Sequence, residues 1–206
     1  MAKSKSNKNW LHEHFSDNYV RRAREEGYCS RAAYKLIEIQ QKDNIIKSGM
    51  VVVDLGSAPG GWSEVVVNLM GGKGRIFAVD ILPMTPIAGV EFIQGDFTDN
   101  KILQVLLTQL NNLTVDLVIS DMAPNISGIN SVDQARAGYL AELALDFARK
   151  VLTADGFFLV KVFQGDGFDA FLRTMRRNFN EVKIRKPDSS RARSKELYLL
   201  AKEVRE

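Results

Sequence analysis

Val51-Val52-Val53-Asp54-Leu55-Gly56-Ser57-Ala58-Pro59-Gly60-Gly61-Trp62-Ser63-Glu64 reads as a strand, a glycine-rich turn and the opening of a helix. Three β-branched residues run into Asp54, the turn spans Gly56 to Gly61, and a helix-compatible stretch begins at Trp62. Nucleotide-like cofactors bind on such a unit at the upper edge of a parallel sheet. The spacing inside the turn says which cofactor. A dinucleotide fingerprint reads G-x-G-x-x-G, because backbone N–H groups must approach a pyrophosphate. Here the order is G-x-x-x-G-G, and Pro59 removes one N–H from the middle. Such a loop is poor at holding a pyrophosphate. It suits an adenosine without phosphate, a description that S-adenosylmethionine (SAM) meets.

Outward from this loop, short apolar runs alternate with amphipathic stretches. Strands are expected at Met50–Asp54, Arg75–Asp80, Val90–Gln94, Val115–Asp121 and Gly156–Phe163, with a terminal pair at 181–186 and 196–202. Helices are expected at 31–42 (with Ser30 as N-cap), 62–70, 99–111, 133–151 and 166–179. The strands are almost continuously apolar, as strands covered on both faces must be. This alternation predicts a doubly wound, mostly parallel α/β sheet of seven strands. No repeat or linker divides the chain. One domain over residues 1–206 is expected, with 1–15 flexible, 16–45 a helical extension and 49–206 the core.

With 206 residues, 45% of them hydrophobic, the chain can bury one sizeable core. No apolar run approaches the ~18–20 residues that span a bilayer, and residues 1–9 lack the apolar stretch of a secretory signal. Cys29 is the single cysteine, which excludes an internal disulfide and a cysteine-built zinc site. His12 and His14 point apart on a helix, so no metal is expected. A cytoplasmic monomer is the resulting expectation. Charge is unevenly spread. Residues 1–35 carry 8 Lys/Arg against 4 Asp/Glu, residues 36–172 carry 9 against 16, and residues 173–206 carry 11 against 5. An acidic body lies between two basic ends. If Arg21, Arg22 and Arg24 meet Arg191 and Arg193 in space, they make a face for a polyanion.

Four acids end four successive strands: Asp54, Asp80, Asp96 and Asp121. Ligands in open α/β sheets bind at these strand ends, so the four are expected to converge on one crevice. Asp80 is placed to accept from ribose hydroxyls, and Asp96 from an adenine amino group. Lys161 interrupts Phe157-Phe158-Leu159-Val160-Lys161-Val162-Phe163, a strand buried on both faces. An ammonium there needs a carboxylate, and the nearest candidate is Asp121.

Taken together, the chain resembles the FtsJ/RrmJ family of ribosomal RNA 2′-O-methyltransferases over nearly its whole length. The resemblance rests on Ser30-Arg31-Ala32-Ala33-Tyr34-Lys35-Leu36, the segment Asp54 to Ser63, Asp121-Met122-Ala123-Pro124, Val160-Lys161 and Ser194-Lys195-Glu196. It implies a Rossmann-like methyltransferase fold with an antiparallel last strand. It also implies a catalytic tetrad at Lys35, Asp121, Lys161 and Glu196, and SAM contacts at Gly60, Trp62, Asp80, Asp96 and Asp121. Without it, Lys35 reads as one residue of a solvated face with Arg31, Glu38 and Lys42, and Glu196 as an ordinary surface glutamate. The implied reaction is methyl transfer to a ribose 2′-oxygen, on a uridine of 23S RNA in the large ribosomal subunit. Lys161 is then either the base or a cation that orients the hydroxyl. Transfer-RNA ribose methylation is the main alternative. Pro59 and the missing third-position glycine oppose a nicotinamide enzyme, and a non-catalytic RNA-binding module leaves Lys161 unexplained.

Overall fold

The computed structural model describes residues 17–191 and 193–205. The expectations for residues 1–15, including His12 and His14, lie outside them. The elements are α1 (Asn18–Glu25), α2 (Ala33–Asp43), β1 (Val51–Leu55), α3 (Gly61–Met70), β2 (Arg75–Asp80), β3 (Val90–Gln94) and α4 (Asn100–Leu110). There follow β4 (Val115–Ser120), α5 (Asn130–Val151), β5 (Leu152–Phe163), α6 (Phe168–Asn178), β6 (Phe179–Arg185) and β7 (Glu196–Val204). The seven strands form one sheet in the order β3-β2-β1-β4-β5-β7-β6. β7 runs antiparallel to both β5 and β6, while the other neighbouring pairs are parallel, in agreement with the sequence reading.

The apolar runs are continuous because successive residues enter different cores. Val52, Leu117, Ile119 and Leu159 pack on the side of α2 and α3. Their neighbours Val53, Val118, Phe158 and Val160 pack on the side of α4, α5 and α6. Strand order reverses between β1 and β4, and the crevice that such a switch point opens lies above their carboxyl ends.

Three local expectations are corrected. α2 begins at Ala33, and Ser30 does not cap it. The Ser30 hydroxyl accepts the Ala32 N–H (3.1 Å) and its carbonyl accepts the Ala33 N–H (3.1 Å), so Ser30 opens a turn before the helix. β5 begins at Leu152, not Gly156, since α5 passes into it without a loop and the β4–β5 register shifts between Val115 and Leu117. β1 runs one residue further, to Leu55, which carries Asp54 down into the sheet.

Candidate active site

The glycine-rich loop satisfies its own donors. Gly56 and Ser57 donate their N–H groups to the Val79 carbonyl (2.8 and 3.2 Å), and Gly60 donates to the Ser57 carbonyl (2.7 Å). Ala58 donates to Asp80 Oδ2 (2.8 Å). Pro59 has no N–H, so the stretch from Gly56 to Gly60 is not a nest for a phosphate. Gly56 has φ 79°, and a Cβ there would fall 2.7 Å from Met122 Cγ and 2.9 Å from the Met122 backbone. Glycine therefore lets the loops after β1 and β4 close on each other, a contact completed by the Asp121 N–H on the Leu55 carbonyl (3.2 Å).

A cleft of about 570 Å³ opens above this contact, with Gly56, Ala58, Asp80, Asp96, Asp121 and Pro124 among its lining residues. Among the described residues, the same lining contains three carboxylates and one basic side chain, Arg136. That balance fits an adenosine bearing a positive charge and opposes one bearing phosphates. Asp80 uses Oδ2 on Ala58 and Oδ1 on the Leu82 N–H (2.8 Å), which fixes the carboxylate at the cleft wall. Asp96 is held through Oδ1 by the N–H and hydroxyl of Thr98 (2.9 and 2.8 Å).

Asp54 does not join them. It is fully buried beneath the loop, where Oδ2 accepts the Ser63 hydroxyl (2.7 Å) and Oδ1 has no hydrogen-bond partner among the described residues. Burial, with Asp121 and Asp80 nearby, pushes its carboxyl up to about 7. Three strand-end acids converge on the cleft, not four. Gly60 and Trp62 also lie off its lining. A Cβ at Gly60 would come 2.7 Å from Ile87 Cδ1. Trp62 is buried, donates Nε1–H to the Ala32 carbonyl (2.8 Å) and packs on Tyr198 with ring centroids 5.6 Å apart.

Asp121 stands where the cleft meets a second group of charges. Lys161 Nζ lies 3.0 Å from Asp121 Oδ1 and also donates to the Asp121 carbonyl. Lys35 Nζ lies 2.9 Å from Glu196 Oε1, with both side chains only 12% exposed. The expected solvated face of α2 is therefore largely covered. Tyr198 joins the two pairs, donating its hydroxyl to Asp121 Oδ1 (2.7 Å) with the Lys35 ammonium 5.8 Å from its ring centroid. Tyr198 is fully buried and was missed in the sequence, where it is one apolar-looking residue in Leu197-Tyr198-Leu199-Leu200. Its position two residues after Glu196, on the same face of β7, was the available signal. On the far side of these pairs, Arg31, Lys35, Arg191, Arg193 and Glu196 line a groove of about 440 Å³.

The model of the FtsJ-like methyltransferase family matches residues 28–204. The chain belongs to the FtsJ-like methyltransferase family. It is 58% identical over 205 residues to the ribosomal RNA large subunit methyltransferase E of Marinobacter nauticus, covering 100% of this chain and 99% of that one. A solved ribosomal RNA methyltransferase structure from Plasmodium falciparum is 29% identical with a TM-score of 0.76, covering 86% of this chain and 98% of the other. A Streptococcus mutans methyltransferase solved with SAH is alike in fold alone, at 12% identity and a TM-score of 0.51, over 81% of this chain and 96% of that one. Among the described residues no His, Cys, Asp and Glu cluster could hold a metal ion, and no helix is long and apolar enough to cross a membrane.

Proposed function

We propose that this FtsJ-like methyltransferase transfers the methyl group of SAM to a ribose 2′-oxygen, on a uridine of 23S ribosomal RNA in the assembled large subunit, and works as a monomer in the cytoplasm. One observation carries the reading: the Lys161–Asp121 and Lys35–Glu196 pairs stand between an acid-lined cleft and an arginine-lined groove. An acidic cleft suits a cationic methyl donor, and a basic groove suits a polyanionic acceptor. The 58% identity to a large-subunit enzyme supports ribosomal RNA over transfer RNA.

SAM, when bound, supplies an electrophilic methyl carbon. Asp80 and Asp96 would hold its ribose and adenine and Asp121 its cationic amino group, while Gly60 and Trp62, off the cleft lining, would brace the loop behind it. Displacement at carbon requires nucleophile and leaving group in line, so most of the protein's task is positioning. Arg31, Arg191 and Arg193 hold phosphates in the groove. Lys35 and Glu196, locked to each other beside Tyr198, form the wall against which the ribose is set. Lys161 has two of its donors directed at Asp121, which fixes Nζ beside the cleft. It is the group assigned to the 2′-hydroxyl and to the proton shed as the oxygen–carbon bond forms. To accept that proton it must first give up one of its own.

The test is labelled methyl transfer to unmodified large subunits, naked ribosomal RNA and transfer RNA, followed by mapping of the product. Label on one uridine 2′-oxygen in the particles is expected. Label on transfer RNA alone, or on a base, would overturn the assignment.

A further inference from the structure

A second cavity, of about 240 Å³, lies beyond the cofactor cleft, between α5 on one side and the end of β5 and the start of α6 on the other. Neither methyl transfer nor cofactor binding uses it. Its walls include four aromatic side chains, Tyr139, Phe163, Phe168 and Phe171. Among the described residues, its charged groups are Asp166 and Glu142, and no Lys or Arg lines it. Gln134 joins the two sides by accepting the Asp166 N–H on Oε1 (3.3 Å). Gly165, at φ 149°, allows this approach, since a Cβ there would meet Gln134 Nε2 at 2.4 Å. On the α5 side, a Cβ at Gly138 would meet nothing within 4 Å.

We infer that this cavity takes one unpaired nucleobase of the RNA substrate, from a nucleotide adjacent to the methylated ribose. The inference rests on the proposed RNA activity. Size comes first: the volume admits one planar heterocycle and falls below the usual range for a whole cofactor. Chemistry comes second. Aromatic side chains are the standard platform for unstacked bases, while carboxylates without cations repel phosphate and accept base N–H groups. Continuity comes third. Val162 and Phe163 of the cavity directly follow Lys161 on β5, and Tyr139 borders both the cavity and the cofactor cleft. RNA that crosses the strand ends from Lys161 toward Tyr139 would bring a neighbouring base to the cavity.

The experiment compares wild type, Gly138→Leu and Asp166→Asn on unmodified large subunits. Leucine extends into the open space at 138 and replaces glycine with a better helix former, so folding is not at risk. Stacking one base contributes ~1–3 kcal/mol, about 5- to 150-fold. Gly138→Leu is expected to raise KM for the particles by about tenfold or more, with kcat and SAM affinity unchanged. Asp166→Asn should raise KM as well. Asp169→Asn, on α6 but off the cavity lining, should leave it alone. A Gly138→Leu KM within twofold of wild type would overturn the inference. Wild-type transfer is read first, so loss of the functional reading appears as no transfer at all. A benzophenone on Gly138→Cys in a Cys29→Ser background tests the occupant directly. Cross-linking to a base within two nucleotides of the target ribose supports the inference, and cross-linking to a ribosomal protein or a remote nucleotide defeats it.

Discussion

Asp54, fully buried in β1, and Asp121, just past the end of neighbouring β4, are driven in opposite directions. Burial pushes the Asp121 carboxyl up, but Lys161, Lys35 and the Tyr198 hydroxyl more than reverse it and hold the group below its ordinary value. Burial, then Asp121 and Glu196, drives the Tyr198 phenol well above its ordinary range, so it remains a hydrogen-bond donor. Among the described residues Asp54 has one hydroxyl partner and no cation, and its carboxyl rises to about 7 from 3.8. The folded protein thus binds a proton at Asp54 that the unfolded chain has lost. Stability falls as pH rises from ~4 to ~7, by on the order of 4 kcal/mol, and is flat above that. Asp121 has the opposite sign: its contribution is present above the unfolded value and is lost as pH falls through the depressed folded one. Asp54→Asn removes the ionisation but keeps an acceptor for Ser63. Melting temperatures of mutant minus wild type should be more favourable at pH 8 than at pH 5, and a pH-independent difference would show that Asp54 is ionised throughout. At Lys161, alanine should abolish single-turnover transfer while SAM affinity, read by calorimetry, stays within a few-fold. Lys161→Arg, which cannot give up its proton, should be inactive. An active arginine variant would make the residue an orienting cation instead of a base.

At the scale of elements, α2 is the part that the sequence described least well. Of Ala33, Leu36, Ile37 and Gln40, which helical spacing puts on one face, Ala33 and Leu36 are buried, together with Tyr34 and Ile39, while Ile37 and Gln40 are half-buried; the strands were legible from their apolar runs. Its polar side looked like a solvated face because the partners lie in the segment between β6 and β7, remote in sequence. Glu38 accepts the N–H groups of Asp188 (2.6 Å) and Ser189 (3.0 Å), and Arg31 donates to the Ser189 carbonyl. Asp43 accepts from Arg185 Nε (2.7 Å), and Lys186 Nζ donates to the carbonyls of Ser194 (2.7 Å) and Glu196 (2.6 Å). Glu38 and Asp43 of α2, with Arg31 just before it, thus hold the stretch that delivers Glu196 to Lys35. No periodicity can reveal this, since a carboxylate that accepts loop N–H groups looks like any surface glutamate. Glu38→Ala should free two N–H groups, lower the melting temperature, and reduce kcat by ~10- to 100-fold through misplacement of Glu196. SAM affinity should be unchanged, because α2 lies off the cofactor cleft. Glu38→Gln, retaining one acceptor, should recover part of kcat. Equal loss in both variants would indicate a charge effect, not a positioning one.

Across the whole molecule, the uneven charge in the sequence acquires a geometry. Asp17, capping α1, pairs with Arg31 and lies 3.9 Å from Arg191, so the two basic ends do meet. They contribute unequally. Arg21 and Arg22 pair with Glu25 and Glu26 within α1, at 3.7 and 3.1 Å, and neither lines the groove. Arg191 and Arg193 do line it, beside Lys35 and Glu196. The composition could show that positive charge gathers at both ends, but not which arginines their own helix already neutralises. A groove that binds RNA through phosphates releases counterions, so log K against log salt should have a slope of ~−0.7 per phosphate on single-stranded segments. Arg191→Ala with Arg193→Ala should flatten that slope by ~1.4 and raise the RNA concentration needed, with SAM affinity intact. Arg21→Ala with Arg22→Ala should change it less, because neither side chain lines the groove. A salt titration of RNA binding by both double mutants separates the two regions. Equal flattening would extend the phosphate-binding face over α1, and an unaltered slope in the Arg191/Arg193 variant would remove the groove from RNA binding.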